Sequence, residues 1–455
     1  GTMEHLLDRI PKVSAQNGSI KVFGRGEPVI YINGRQMRNR SELDCLQSDN
    51  IKSVEVITNP GARYAASTRA VIRITTKKIL GDGFGFDAST TGEYDEKKNF
   101  GGFGQLNMNY RKNGLDLGAY AFGAKQYQPY NQDLQQKTYL DKTWDQKSGN
   151  RQVGMIEAMN FRLDASYQLD ANNSFGANFG FLRNPKQTCD ANMTTGIWQD
   201  DEQTETSDSH ANFFKQKSTL SSNVYYVGKI GKLGIDFNAD WLWSKNNEDV
   251  VTKEQYQEVG MDAQSQMVHS LTDKKYRLLA SKLVLSYPLL GGELSVGGEY
   301  SNTHRISKYQ VVPTNFVSDD NSRITESMAS SFLAYSRDFG KVSMEAGLRY
   351  EYIDFNYYEY GKYVPGQSKS YGNWFPSISL SMPVGKVQMQ LSYATDIDRP
   401  SYHYLRSGIQ YDNRYTYETG NPFLVSEISK NLNYELAYKW LTFDMTYSHT
   451  SHTMM

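Results

Sequence analysis

The side chains of this sequence that could do covalent chemistry are numerous, but their spacing argues against a reaction centre. Seven histidines are scattered, and none makes the H-E-x-x-H pattern that sets two imidazoles on one helical face around a zinc ion. His449 and His452 stand three apart, where polar terminal residues are the simpler reading. No G-x-S-x-G elbow occurs, nor any triad-like arrangement. The glycines of "GFGFDAS" and "GGFGQL" are not followed by a strand-to-helix turn that would cradle a phosphate. The acidic run "WQDDEQTETSDS" (Trp198 to Ser209) could take a divalent cation or a cationic ligand, although such runs are more often solvated surface loops. The pattern predicts no catalytic residue, no metal site and no cofactor. Non-covalent recognition is better supported, because exposed tyrosines stack on sugars and flat ligands. The stretches "YQPYNQ" and "YHYLRSGIQYDNRYTY" supply Tyr127, Tyr130, Tyr402, Tyr404, Tyr415 and Tyr417 as candidate ligand contacts.

These residues must be positioned by a framework, and composition narrows what it can be. Among 455 residues, 49 basic against 50 acidic side chains leave a net charge of -1 without long single-sign blocks, which removes the electrostatic footprint of nucleic-acid binding. Aromatic content of 13%, with 33 Tyr, 37 Gly and only 12 Pro, favours strands and tight turns. Mean hydropathy is -0.63 and no apolar run approaches the length of a membrane-spanning helix. A barrel wall escapes that exclusion, since it alternates lipid-facing and lumen-facing residues. Cys45 and Cys189 lie far apart and read as two free thiols. The opening "GTMEHLL" has neither a basic n-region nor an apolar h-region, so localisation is argued from the body of the sequence.

From about residue 84 onward, runs of about ten residues alternate with period two. Val342, Met344, Ala346, Leu348, Tyr350 and Tyr352 share one face, and Ser343, Glu345, Gly347, Arg349 and Glu351 the other. The segments Leu233 to Trp243 and Val387 to Tyr393 read the same way. Short turns near 111–114, 170–173, 229–232, 289–292, 338–341 and 383–386 alternate with long polar segments at about 126–158, 184–215, 246–275, 303–327, 354–371 and 396–430. That alternation predicts an all-β fold, a transmembrane antiparallel β-barrel with short periplasmic turns and long extracellular loops. Tyr110, Tyr225, Tyr226, Trp241, Trp243, Tyr350, Tyr352 and Trp440 are expected at the interfaces with outer-membrane lipid. About fifteen strands can be counted, the last near Leu441 to His449; an unpartnered fifteenth strand implies a barrel incomplete at the C-terminus.

Residues 1–80 read as a small α/β unit. "SIKVFGRGEPVIYINGRQM" suggests strand, turn, strand, with a second turn at Asn33 and Gly34. Ser41 and Asp44 have capping-box spacing for a short helix. Val54 to Ile57 and Val71 to Thr75 flank a Pro-Gly loop. The segments "PVIYINGRQM", "DNIKSVEVITNPGARY" and "VIRITTKK" resemble, in order and spacing, the plug of TonB-dependent receptors. "YATDIDRPSYHYL" and "YTYETGNPFLVSEISKNLNYELAY" are similar to the barrels of such receptors common in Bacteroidetes. The resemblance implies a plug domain at 1–80 and a barrel at 81–455 in the Gram-negative outer membrane. It also implies active import of an unidentified small-molecule, glycan or peptide ligand, driven by TonB and its inner-membrane energising complex. Roles follow for Asn59, Pro60, Gly61, Arg63 and Tyr64 in a plug loop, Arg25 and Arg35 in plug turns, and Glu345, Arg349 and Glu351 on the wall that holds the plug. Two features depart from the family pattern: Thr68, Arg69 and Ala70 stand where glycines are usual, and no TonB box can be identified before residue 10. A surface adhesion or assembly protein anchored by its barrel, without transport, is the second expectation.

Overall fold

The computed structural model describes residues 3–16, 19–38, 43, 46, 48–77, 82–95, 99–314, 316–439 and 441–451. Ser41, Asp44, Cys45, Trp440 and His452 lie outside them. The N-terminal part contains helix α1 (Met3–Leu7) and strands β1 (Val13–Gln16), β2 (Ser19–Val22), β3 (Val29–Ile32), β4 (Arg35–Gln36), β5 (Ile51–Ile57) and β6 (Val71–Thr76). β1 and β2 form a hairpin, and the other four strands a sheet ordered β4-β3-β6-β5 with β3 and β6 parallel. Asn33 (φ 51°) and Gly34 (φ 83°) make the left-handed turn that the Asn-Gly pair favours. Alternate residues of these strands, with α1, build one apolar core that includes Leu7, Val22, Ile30, Ile32, Ile72 and Ile74. This core contains no barrel residue, so the unit packs upon itself.

The remaining strands form the wall. They are β7 (Gly83–Tyr94), β8 (Phe100–Lys112), β9 (Leu115–Tyr139), β10 (Thr143–Gln168), β11 (Ser174–Gln199), β12 (Glu202–Ile230), β13 (Leu233–Glu258) and β14 (Gln264–Leu289). They continue as β15 (Gly292–Val312), β16 (Asp320–Phe339), β17 (Val342–Glu359), β18 (Lys362–Tyr363), β19 (Lys369–Val384) and β20 (Val387–Asp398). The small β21 (Gln410–Asn413) and β22 (Thr416–Glu418) pair with each other, and β23 (Glu427–Tyr438) and β24 (Leu441–Ser451) complete the series. Apart from β21 and β22, these strands belong to a 16-stranded antiparallel sheet whose path runs from β7 to β24, with β18 paired off it to β17. Fifteen strands therefore lie along the path, as the alternation predicts.

Burial along the wall is the reverse of a soluble protein's. On β17 Leu348 is 41% exposed while Arg349 beside it is 1% exposed. Val224, Leu279, Leu333 and Leu391 also face outward, whereas Asn223, Asp240, Ser330 and Ser392 are buried. Such inversion is expected where the outer solvent is lipid. Tyr350 and Trp374 pack together on that outer face, with ring centroids 4.8 Å apart. Tyr225 corrects the interfacial assignment: it follows outward-facing Val224 and feels the charge of Arg35 from the N-terminal unit, which places it on the lumen side.

The six short turns fall where expected, but most of the long polar segments are not loops. Residues 126–158 pair as the continuation of β9 and β10, for example Asp133 opposite Gly149, and 184–215 pair as β11 and β12. Segments 246–275 and 303–327 likewise belong largely to strands. The 26 residues of β10 extend about 86 Å at the usual rise per residue, so the hairpins stand far beyond a hydrocarbon layer of about 30 Å. Once a ribbon leaves lipid both its faces are polar, and the hydrophobic alternation that signals a strand disappears while the hydrogen-bond ladder continues. Amide hydrogen exchange in detergent checks this directly. Amides of 187–197 and 205–215 should be protected like those of the same strands nearer the short turns; loop-like exchange there would contradict the pairing.

Candidate functional site

The N-terminal unit lies in the lumen, and the contacts that hold it are mostly polar. The loop between β5 and β6 meets β17 at close range. A Cβ on Gly61 would lie 2.3 Å from Glu345 Oε1, and one on Gly347 would lie 2.6 Å from the Ala62 methyl. Gly347 is thus required by close approach, whereas at Gly61 the flexible Glu345 side chain would have to move aside. The Ala66 amide donates to Glu351 Oε1 (2.9 Å), and Glu351 also accepts from Arg349 Nε (2.5 Å) and Arg399 Nη2 (2.6 Å). Arg349 extends to Glu299 Oε2 (3.1 Å) and Ser330 Oγ (2.7 Å). Arg349 and Glu351 are both 1% exposed, so a buried charged network joins wall and plug.

Ion pairs surround this network: Arg38 with Asp240 (3.1 Å), Arg63 with Asp236 (3.4 Å), Arg69 with Asp398 (3.3 Å), and Lys12 with Glu435. Lys282 donates to the Arg63 carbonyl (2.7 Å) and lies 5.5 Å from the centroid of the Tyr64 ring. Tyr64 packs edge-on against Tyr31 (5.5 Å), and burial pushes its phenol above its ordinary pKa. A polar cavity of about 650 Å³ opens between these groups. The expected plug residues are brought together in part: Arg25 Nη2 donates to Asn59 Oδ1 (2.9 Å), Gly61 meets Glu345, and Arg35 is buried. Pro60 lies half-buried in the same loop.

A second locus lies at the opposite end of the barrel from the short turns. The segment between β20 and β23 (residues 399–426), unlike the other long segments, leaves the sheet. It reaches across β19, β17, β16, β15 and β14 to the far wall. There the Arg414 guanidinium pairs with Glu205 (2.8 Å), its amide donates to Glu254 Oε1 (3.1 Å), and it stacks on Tyr256 at 3.5 Å. The Tyr415 hydroxyl donates to Glu205 (2.6 Å) and that of Tyr411 to Glu254 (2.7 Å). Leu405 and Tyr411 are each buried in an apolar cluster of the wall, which fixes this strap inward. His403 and Arg406 both hold Glu418, at 2.8 and 3.0 Å. Burial works against ionisation of Glu418, but the Arg406 guanidinium and the hydrogen bond from the His403 ring outweigh it and keep the carboxyl below its usual range.

Of the tyrosines expected to contact ligand, Tyr402 spends its hydroxyl on Glu326 (3.0 Å) and its ring in the Leu405 cluster, and Tyr415 anchors the strap. Tyr404 and Tyr417 are exposed. Tyr127 and Tyr130 lie on β9, away from the strap's contacts. Glu205 corrects the reading of the acidic run as a solvated loop: it lies in β12, and its cationic partner is this chain's own Arg414. Asp240 and Glu299 are not merely hydrated wall residues, since arginines engage both. Their inward position is legible from the alternation. Their partners Arg38 and Arg349 are not, because nothing local says which distant residue meets which strand.

The sequence model of the outer membrane protein beta-barrel family matches residues 227–455, half of the chain. The chain belongs to that family. No curated protein matches the sequence. Among solved structures, the siderophore receptor PirA from Pseudomonas aeruginosa is similar at 15% identity and a TM-score of 0.56, over 99% of this chain and 71% of that one. A mutant of the ferric enterobactin receptor PfeA from Pseudomonas aeruginosa is also 15% identical, with a TM-score of 0.51 over 99% and 68% of the two chains. The copper transporter OprC is 10% identical, with a TM-score of 0.56 over 95% and 66%. At these identities the likeness is one of fold alone. Family and fold together place the chain in the outer membrane as a multi-strand β-barrel.

Arg349→Met should destabilise the protein by about 3–5 kcal/mol, because Glu351 and Glu299 lose a buried counter-charge, and thermal unfolding in detergent would measure it. Arg414→Ala removes two ion pairs, with Glu205 and Glu258, and one cation–π contact. It should raise tryptic cleavage at Arg406 about tenfold while leaving the barrel's unfolding temperature nearly unchanged.

Proposed function

We propose that this protein is an active importer of the outer membrane: a ligand captured at the mouth passes through the lumen when TonB, powered by its inner-membrane complex, displaces the plug. The observation that carries the reading is the contrast between the plug's interior and its boundary. Inside, the plug is an apolar unit complete in itself. At the wall it is held largely by ion pairs and hydrogen bonds beside a polar cavity. Water and lumen polar groups can replace such contacts one at a time, whereas pulling an apolar face from its partner exposes it all at once. A unit held in this way can move as a body and return. The division into a plug at 1–80 and a barrel from 81 belongs to the same proposal, as do the plug-loop and wall roles of Arg25, Arg35, Asn59, Pro60, Gly61, Arg63, Tyr64, Glu345, Arg349 and Glu351. No covalent step is required.

A disulfide across the plug boundary tests the proposal. The Ile397 amide donates to the Ala66 carbonyl at 3.1 Å, which brings the two residues within the span of a disulfide. With Cys45 and Cys189 replaced by serine, the pair Ala66→Cys and Ile397→Cys should abolish TonB-dependent uptake when oxidised and restore it on reduction. Binding of the purified periplasmic domain of TonB should be retained in both states. Undiminished uptake through the locked protein, or no binding of TonB by the full-length mature protein, would instead favour a barrel that anchors a surface binding protein.

A further inference from the structure

The strap covers a cavity whose charges are not balanced. It has a volume of about 510 Å³ between the strap and the inner faces of β14 to β17, and its lining includes Lys274, Arg305, Tyr357, Tyr402 and Arg406. Lys274 pairs across the ladder with Ser307 and Arg305 with Tyr276, so the two cations are diagonal neighbours on one inward face. Like charges so placed repel. Among the described residues neither forms an ion pair or donates a hydrogen bond, and the Arg305 guanidinium has only the Tyr402 ring, at 5.6 Å. Glu248, the carboxylate that acts on Lys274, is engaged by Lys215 at 3.0 Å.

The third cation comes from the strap. Arg406 is held by Glu418 through Nη2 and by Gln410 through Nη1, yet its Nε is buried without a hydrogen bond. Asp320 is the one carboxylate in the lining, and Ser322 bonds one of its oxygens. With Glu418 counted beside Asp320, three cations face two carboxylates, so the cavity remains positive, and the two wall cations have donors unused. Folding would not retain such an arrangement for stability alone, since it sets like charges side by side without a partner.

We propose that the cavity binds the oxyanion group of a ligand, a phosphate or a carboxylate, between Lys274 and Arg305 of the wall and Arg406 of the strap. The inference rests on the importer reading in taking the mouth as the place of ligand capture. It adds the chemical class of what is captured and assigns Lys274 and Arg305 as binding residues. Because the strap supplies Arg406, the bound oxyanion would also tie the strap to the wall at a point away from Arg414.

Calorimetric titration of the full-length protein in detergent, in a chloride buffer, tests this with three probes: inorganic phosphate, glycerol 3-phosphate and citrate. Saturable binding of at least one is expected, weakened about tenfold by Lys274→Gln and by Arg305→Gln. A phosphate ester or citrate binding at least tenfold tighter than phosphate would mean that the cavity takes the anionic group of a larger ligand. Equal affinity would mean that it takes the free ion, and either result supports the site. No saturable binding by any probe, or binding unchanged in the double variant, would overturn it. Thermal unfolding separates binding from a structural role: without anion Lys274→Gln should unfold no earlier than the parent, and phosphate should stabilise only the parent. Earlier unfolding of the variant, with no gain for the parent from phosphate, would make the lysine structural and end the proposal. TonB binding on the same preparation keeps the readings apart. Anion binding without TonB binding would leave the cavity standing and remove the importer, and the converse would do the reverse.

Discussion

A peptide backbone in hydrocarbon must find every hydrogen-bond partner within the protein, and the rest of this structure depends on that requirement. Between the outer edges of β7 and β24, the chain meets it with a continuous antiparallel ladder. Strand geometry then sends successive side chains to opposite faces, so an apolar outer face obliges the inner one to carry whatever else the sequence holds. Here the inner face holds Asp236, Asp240, Lys282, Glu299, Arg349 and Glu351. A charged lumen cannot be left empty of counter-charge, and it cannot be filled by an apolar plug without stranding those groups. The filling is therefore largely polar at its boundary, with small apolar contacts at Ala62 and Ala66, and its main apolar core lies within itself.

Glu351 shows how tightly this arrangement is coupled. Its two oxygens serve a wall arginine, the amide of a plug residue and Arg399 at the root of the strap. The plug boundary and the strap across the mouth thus share one carboxylate. A shift of the plug loop that withdrew the Ala66 amide would change what Glu351 offers to Arg399, and a shift of the strap would act in the other direction. Coupling of this kind needs no long pathway, only one buried group shared by three partners.

The same economy explains why one long segment folds inward while the others stand out as ribbons. Segments such as 126–158 are polar on both faces and have nothing to gain from the lumen, so they extend the ladder into water. The strap carries Leu405 and Tyr411, which find apolar clusters on the inner wall, and Arg414, which finds Glu205 and Glu254. Burial and charge pairing pull it across the opening. The cavity beneath it is a consequence of that span.

Much of this was written in local pattern. Period-two alternation determined the strands and their facing; the six short turns, with their glycines and asparagines, determined the connectivity; and Asn33-Gly34 determined a plug hairpin, because each depends only on residues near in sequence. The inward positions of Glu345, Arg349 and Glu351 were legible for the same reason. What the sequence left open depends on contacts between residues far apart along the chain. Strand beyond the membrane carried no hydrophobic signal once both faces were wet, so the ribbons read as loops. Nothing local foretold that Glu326 and Glu205, on distant strands, would take the hydroxyls of Tyr402 and Tyr415. Only the tertiary structure decided that Arg38 meets Asp240, that Ala66 meets Glu351, and that Lys274 and Arg305 form no ion pair among the described residues, because the geometry of the curved wall, not local spacing, sets which charges come within reach.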